Sequence, residues 1–246
     1  MHWDICANLA GIKAAMRIAQ GEGASLCAFA ELALTGFHRR IVEWAHPHHV
    51  MPALAEVQEM AASLGLAVAL GAPTFSEAGE RFNSHLLVES DGSLAATVHK
   101  IGLTEPEATF FSRGATRPVA RIGGITCTAV ICREIEDQSE VTQQLAGRDV
   151  QLILWPGQMR PDPAKPAQDP PEHVAQAQAL ASSLGAHVVQ TNWPNALNRP
   201  EESANTGHSA CISPSGNLLF RLPMQGFGTA VFNLGERTYT WCSNEA

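Results

Sequence analysis

Ile125-Thr126-Cys127-Thr128-Ala129-Val130-Ile131-Cys132-Arg133-Glu134 is the stretch on which the reading of this chain turns. A β-branched apolar run stops at a cysteine and is followed at once by charge. A buried strand delivers a thiol to the rim of a sheet in this way, where α/β folds place their chemistry. A cysteine alone decides nothing, because buried cysteine usually behaves as a small hydrophobe. Two further segments share the pattern. Phe29-Ala30-Glu31-Leu32-Ala33-Leu34-Thr35-Gly36-Phe37 is a second apolar run, reaching an isolated acid, and His99-Lys100-Ile101-Gly102-Leu103 puts a lysine after the strand-like residues 94–98. Glu31, Lys100 and Cys132 thus each stand at a strand terminus.

Working outward, strand-like and helix-like segments alternate. Apolar residues at Leu9, Ile12, Ala15, Met16 and Ala19 predict an amphipathic helix over Asn8 to Gln20, with a strand over Ala24 to Ala30. A second helix is expected from Pro52 to Leu64, with proline in its first turn and Gly65 just past its end. Further strands are expected at 66–70, 84–89, 94–98, 125–131, 150–155, 187–190, 210–213, 218–222 and 229–232. Asp91-Gly92 signals a hairpin turn. Helices are expected over Glu136 to Ala146 and Glu172 to Leu184. The proline-rich stretch Pro161 to Pro171 reads as a surface loop, because the strand–helix rhythm resumes unchanged after it. A β-α-β start and a hairpin-rich end predict a mixed sheet with helices on one side. The uncovered apolar face then stacks on a second sheet, so the expected class is α/β, a four-layer αββα sandwich in a single domain over residues 1–246.

The bulk numbers narrow the function. Length 246 and 45% hydrophobic residues suit one large core. The net charge of −8, with no basic stripe, argues against nucleic acid or an anionic membrane as partner. No apolar run approaches the roughly 20 residues that span a bilayer. Met1-His2-Trp3-Asp4-Ile5-Cys6 has neither the basic nor the apolar part of a signal peptide. Six cysteines without CxxC spacing point to free thiols in a reducing cytoplasm.

The three residue types suffice for one reaction. An unperturbed thiol, with a pKa of about 8.5, is mostly protonated at neutral pH. A neighbouring lysine favours its thiolate, and a neighbouring glutamate can take its proton as general base. The sulfur can then attack a carbonyl or nitrile carbon, while Lys100 and the backbone N–H of Arg133 stabilise the oxyanion. Glu31 next protonates departing ammonia and activates water. No metal and no cofactor is needed. Each residue also has a plainer reading: Glu31 as a cap, Lys100 as a surface charge, Cys132 as core.

In this chain order, Phe29 to Phe37, His99 to Leu103 and Ile131-Cys132-Arg133-Glu134 together resemble the nitrilase or carbon–nitrogen hydrolase superfamily. The likeness runs from about Asp4 to the C-terminal strands. Glu31 with Gly36 and Phe37 matches the family's glutamate segment, Lys100 with Leu103 its lysine segment, and Ile131-Cys132 its nucleophile. Glu107, Phe111 and Gly114 are similar to a segment that carries a second acid. Trp155-Pro156, Asn192, Gly207-His208-Ser209, Pro214 and Gly216 fall in the expected order. The resemblance implies a nitrilase-like fold and an amidase-type enzyme. Cys132 would be its nucleophile, Glu31 its base, Lys100 its oxyanion partner, and Glu107 a residue that positions substrate or holds Lys100. It implies a small carboxamide substrate, or an N-carbamoyl compound, hydrolysed to acid and ammonia. It also implies a homodimer or higher homo-oligomer.

The chain departs from the pattern in three places. Relatives open with a strand before the segment that Asp4 to Asn8 resembles; here either the sheet lacks it or the native start lies upstream. Ala30 stands where the family usually has proline. Arg133-Glu134 replaces an aromatic residue and an aspartate. Arg133 either lowers the thiol pKa and binds an acidic substrate group, or pairs with Glu134 or Glu136 structurally. These departures motivate an alternative, a catalytically silent nitrilase-like binding or scaffold protein; a redox-sensing thiol is a third reading. Trp155, Trp193 and Phe111 are candidates to line a substrate pocket, against the commoner core role. His46, His48 and His49, with Pro47, read as a solvated loop rather than a metal site. Cys127 and Cys132, five apart, point to opposite faces of one strand and form no redox pair.

Overall fold

Asp4 caps the first helix. Its side chain accepts the N–H of Cys6 at 2.7 Å, and α1 (Ile5–Gly21) then turns Ile5, Leu9, Ile12, Met16 and Ala19 inward. The computed structural model describes residues 4–36, 41–160, 169–194, 207–223 and 228–243. A strand ahead of Asp4 therefore has no counterpart among the described residues. Phe37 and most of the loop expected at Pro161 to Pro171 also lie outside them. β1 (Leu26–Ala28) follows α1, then a single turn, α2 (Ile41–Trp44), and the long α3 (Pro47–Leu64). Here the sequence reading is corrected. Pro47, not Pro52, occupies the first turn, where the missing N–H is not needed, and Pro52 lies inside the helix. His46 is the N-cap and His48 and His49 belong to the first turn, so this segment is not a loop. Gly65 closes α3 in the left-handed conformation, at φ 61.

β2 (Ala67–Phe75), β3 (Arg81–Val88) and β4 (Leu94–His99) form an antiparallel run that β1 joins in parallel to β2, giving the order β1-β2-β3-β4. β1 and β4 therefore run the same way, and their C-terminal ends lie along one edge. The short α4 (Glu105–Ala108) follows β4. The second sheet contains β5 (Ala120–Ile122), β6 (Ile125–Ala129), β7 (Leu152–Gly157), β8 (His187–Asn192), β9 (Ala210–Ile212) and β10 (Leu218–Arg221). Its order is β10-β9-β8-β7-β6-β5, with β6, β7 and β8 parallel. α5 (Gln138–Leu145) and α6 (Glu172–Leu184) are the crossovers that parallel strands require. β11 (Gly228–Val231) and β12 (Thr240–Ser243) form a separate ribbon.

Side-chain alternation sorts the core into layers. Along β2, Val68, Leu70 and Ala72 pack under α1 and α3, while Ala67 and Ala69 meet the second sheet. Cys127, Ala129, Leu152 and Leu154 answer from that sheet's inner face. Its outer face presents Val130, Ile153, Trp155 and Val188 to Val141, Leu145, Val174 and Leu180 of α5 and α6. The result is the expected αββα sandwich. No helix among the described residues is long and apolar enough to cross a membrane.

Candidate active site

Three strand ends meet at one rim of the two stacked sheets. β1 leads into a tight turn over residues 31–35, held by the N–H of Gly36 on the carbonyl of Leu32 at 2.8 Å. Leu32 adopts φ 49, a left-handed conformation that side chains other than glycine rarely take. The turn lies so close to β2 that a Cβ on Gly71 would overlap the carbonyl of Ala30 and the N–H of Leu32. Trp193 fastens it from the second sheet, its indole N–H donating to the Glu31 carbonyl at 2.7 Å. The carboxylate of Glu31 is thereby aimed inward. Its Oε1 accepts from Lys100 Nζ and from Asn83 Nδ2, each at 2.8 Å. Its Oε2 is buried and has no hydrogen-bond partner among the described residues.

Lys100 directly follows β4, its N–H bonded to the carbonyl of Asn83 at 2.8 Å. Its ammonium also reaches Glu107, at 2.7 and 2.9 Å to the two oxygens. Glu107 is itself fixed by a capping box. The backbone N–H and hydroxyl of Thr104 both donate to its Oε2 at 2.9 Å. Lys100, Glu31 and Glu107 are 1%, 1% and 5% exposed, so one cation is shared by two carboxylates out of reach of solvent. Asn83 ties the acids together, donating to Glu107 Oε1 at 3.1 Å as well as to Glu31.

Cys132 does not sit in a strand. β6 ends at Ala129, Ile131 is still extended, and Cys132 opens a 3-10 turn over Cys132–Glu136 at φ 54. A strained residue at the end of a buried strand presents its side chain away from the ladder. Trp155 Nε1 holds the Cys132 carbonyl at 3.0 Å, and the Met159 thioether lies 3.7 Å from the thiol. The relation of Cys127 to Cys132 is accordingly not one of opposite strand faces. Cys127 belongs to the core between the sheets, and all six cysteines are free.

The charges act on one another. Burial pushes the Cys132 thiol up to about 12, and Glu31 adds to that, while Lys100 and the N–H of Gln158 work in the opposite direction. Glu31 is raised above the usual carboxylate range, chiefly by burial and then by Glu107, against the pull of Lys100. For Lys100, burial favours the neutral amine, but Glu31, Cys132 and Glu107 together outweigh it and hold the ammonium charged. Glu107 is held low: burial raises it, and Lys100 with Thr104 more than compensates.

Glu31, Lys100 and Glu107 are thus brought into direct contact, with Cys132 inside their field. The remaining candidates from the sequence do not join this cluster of charges. Arg133 pairs with Asp137 at 2.8 Å, not with Glu134 or Glu136. Trp155 is fully buried in the core under α5 and α6. Phe111 packs with Leu32, Ile41 and Ala45 beneath the Glu31 turn. Asn192 holds the loop carrying Met159, accepting its N–H at 2.7 Å and donating to its carbonyl at 2.6 Å. Three polar residues, Asn83, Thr104 and Arg117, escaped the sequence reading. Asn83 had one signal, a residue disfavoured in strands standing just before a strand-like run.

Comparison with known proteins follows the same lines. The profile of the carbon-nitrogen hydrolase family matches residues 1–241. The crystal structure of an amidase from Nesterenkonia sp. superposes with a TM-score of 0.77 at 23% identity, covering 91% of this chain and 82% of that one. A cysteine-to-alanine mutant of the amidase from Nesterenkonia sp. AN1, in complex with butyramide, gives 0.76 at 25% identity over 91% and 83%. A glutamate-to-glutamine mutant of that amidase, showing covalent addition of the acetamide moiety of fluoroacetamide at its active-site cysteine, gives 0.77 at 23% over 91% and 82%. No curated protein sequence matches. The structural likenesses bear on the fold. The family match spans both stacked sheets and all three strand ends of the rim, and on it this chain belongs to the carbon-nitrogen hydrolase family.

Proposed function

We propose that this chain is an amidase-type hydrolase acting on a small carboxamide or, second, an N-carbamoyl compound. Cys132 is the nucleophile, Glu31 the general base and acid, Lys100 the oxyanion partner and Glu107 the residue that holds Lys100. The observation that carries this reading is the free, buried Oε2 of Glu31 beside a lysine already anchored by two acids. An unpaired carboxylate oxygen is costly to bury and is retained where it has a proton to take.

A thiol near 12 is not a thiolate at neutral pH, so its proton leaves as the sulfur attacks. Glu31, with a raised pKa, is a suitable acceptor. The sulfur–carbon bond forms, and the carbonyl oxygen takes negative charge. Lys100 has three protons: Glu31 engages one, the two oxygens of Glu107 can share a second, and the third is left for the oxyanion. The N–H of Arg133 follows the nucleophile and adds a backbone donor. Glu31 then gives its proton to the nitrogen, the carbon–nitrogen bond breaks, and ammonia departs from a thioester. Water attacks the thioester while Glu31 takes its proton, releasing the acid and restoring the thiol.

Met159, seated on the thiol, favours short acyl groups. The complexed ligand of the similar amidase, butyramide, is of that size. Small aliphatic amides supplied with hydroxylamine should yield hydroxamates by capture of the thioester. Turnover of amides with no hydroxamate, or no turnover of any small amide, refutes the reading.

A further inference from the structure

We infer that Glu134 is a positioning residue, a side chain that ties the Lys100 segment of the first sheet to the Cys132 turn of the second. The inference deepens the proposed reaction and rests on it for the roles of Lys100 and Cys132. The two sheets meet mainly through apolar side chains, which give area without direction, and the hydrogen bonds of Thr191 and Trp193 hold the Glu31 turn, not the Lys100 segment. Lys100 and Cys132 come from different sheets, so no ladder of backbone bonds sets the distance between them.

Glu134 supplies a directional tie. Its Oε1 accepts the N–H groups of Ile101 at 2.7 Å and Gly102 at 3.0 Å, the two residues after Lys100. Its Oε2 accepts the N–H of Ile131 at 2.6 Å, the residue before Cys132. Arg117 completes the set as a two-pronged partner, Nη1 to Oε2 and Nη2 to Oε1, both at 3.1 Å. The same guanidinium also bonds the carbonyl of Ala129, the last residue of β6, and Nε bonds Gln144 at 3.0 Å. Glu134 and Arg117 are 1% and 2% exposed. The Lys100 segment lies tight on this turn: a Cβ on Gly102 would come within 2.5 Å of Asp137 Oδ2 and 3.1 Å of Arg133 Nη1 and Glu134 Cγ.

Every lone pair of the carboxylate is thus aimed at a donor, and only a carboxylate satisfies all of them. A glutamine presents an NH2 where either the Ile101 and Gly102 pair or Ile131 also donates. Burial alone would raise the Glu134 pKa, but Arg117 and the N–H groups hold it low, so it stays ionised and exchanges no proton in the cycle. It touches no reacting atom. Its effect is on geometry, where a displacement of about 1 Å costs around a hundredfold in rate.

The test uses Glu134→Gln and Glu134→Asp in the full chain. kcat and KM are measured for a small aliphatic amide, and iodoacetamide alkylation of Cys132 is followed against pH by peptide mass. Thermal melts report the folded fraction. Glu134→Gln is expected to lose at least thirtyfold in kcat per folded molecule with KM changed less than threefold. Its alkylation profile should move to higher pH, because Lys100 no longer depresses the thiol. Glu134→Asp should recover part of the loss. Glu134→Asp keeps a carboxylate one methylene short of these donors, so it should still lose about threefold or more in kcat, and it serves if Glu134→Gln fails to fold. Wild-type kcat and an unmoved alkylation profile in a folded Glu134→Gln or Glu134→Asp overturn the inference. Alkylation needs no turnover, so it reports on Glu134 even where the amidase reading itself fails.

Discussion

Glu31 Oε1 lies 2.8 Å from Lys100 Nζ, while the other oxygen of the same carboxylate is buried without a partner among the described residues. In the proposed reaction, one oxygen is spent on anchoring and the other is kept for the proton. The base works only when ionised, so kcat/KM should rise with pH through the Glu31 pKa. Burial and Glu107 place that pKa above the ordinary carboxylate range, and the acid limb of the profile should fall there rather than at about pH 4. Glu31→Gln should remove the limb and lower kcat by about 10²- to 10⁴-fold.

Lys100 is the cation that keeps two buried acids apart. Lys100→Ala leaves Glu31 and Glu107 facing each other without a counter-charge. Breaking a buried pair in this way costs about 3–5 kcal/mol. Asn83→Ala removes only a neutral donor to both acids and should cost about 1–3 kcal/mol. Denaturant titrations of the two variants should keep that order. A more damaging Asn83→Ala would contradict it.

If Cys132 carries the acyl group as proposed, Met159, with its sulfur 3.7 Å from the Cys132 thiol, limits the depth of the acyl site. Met159→Ala should leave acetamide turnover close to wild type and improve kcat/KM for a hexanamide-length substrate about tenfold, the worth of one or two methylenes. Equal effects on short and long amides would remove Met159 from the acyl pocket.

The fold was readable because strands such as β2 and β7 are buried on both faces along most of their length, and a β-branched run that meets a charge marks its own end, as at Cys132. The helix boundary near Pro47 was misread since two prolines compete for one first turn, and only packing chooses between them. Ala120-Arg121-Ile122 and Thr240-Trp241-Cys242-Ser243 escaped because strands this short carry too few alternations to register. Register puts the Trp155 ring with Ile153 against α6 while its Nε1 holds the Cys132 carbonyl, a placement that no alternation in the sequence specifies. Arg133-Glu134 looked like a single anomaly. On a 3-10 turn the two side chains diverge: Arg133 pairs outward with Asp137 and Glu134 inward with Arg117. No pattern in one dimension separates those fates.

His85, fully buried on β3, offers a test of the interior itself. Neither ring nitrogen has a hydrogen-bond partner among the described residues, and burial lowers its pKa from 6.5 to about 3. Between those values the unfolded chain takes up a proton that the folded chain refuses. Stability therefore falls as pH drops through that window, by up to about 1.4 kcal/mol per pH unit from this residue. His85→Leu should flatten the loss seen in urea titrations between pH 6.5 and 4.5, and an unchanged slope would show that His85 is not its source.

In the proposed reaction Cys132 carries the acyl group. Turnover of a small amide by Cys132→Ala, measured beside a melt showing that the variant is folded, tests this most directly. A fall of about 10³-fold or more is expected, since removing a nucleophile leaves only binding and the oxyanion site. A folded Cys132→Ala that turns over amide at the wild-type rate would contradict it.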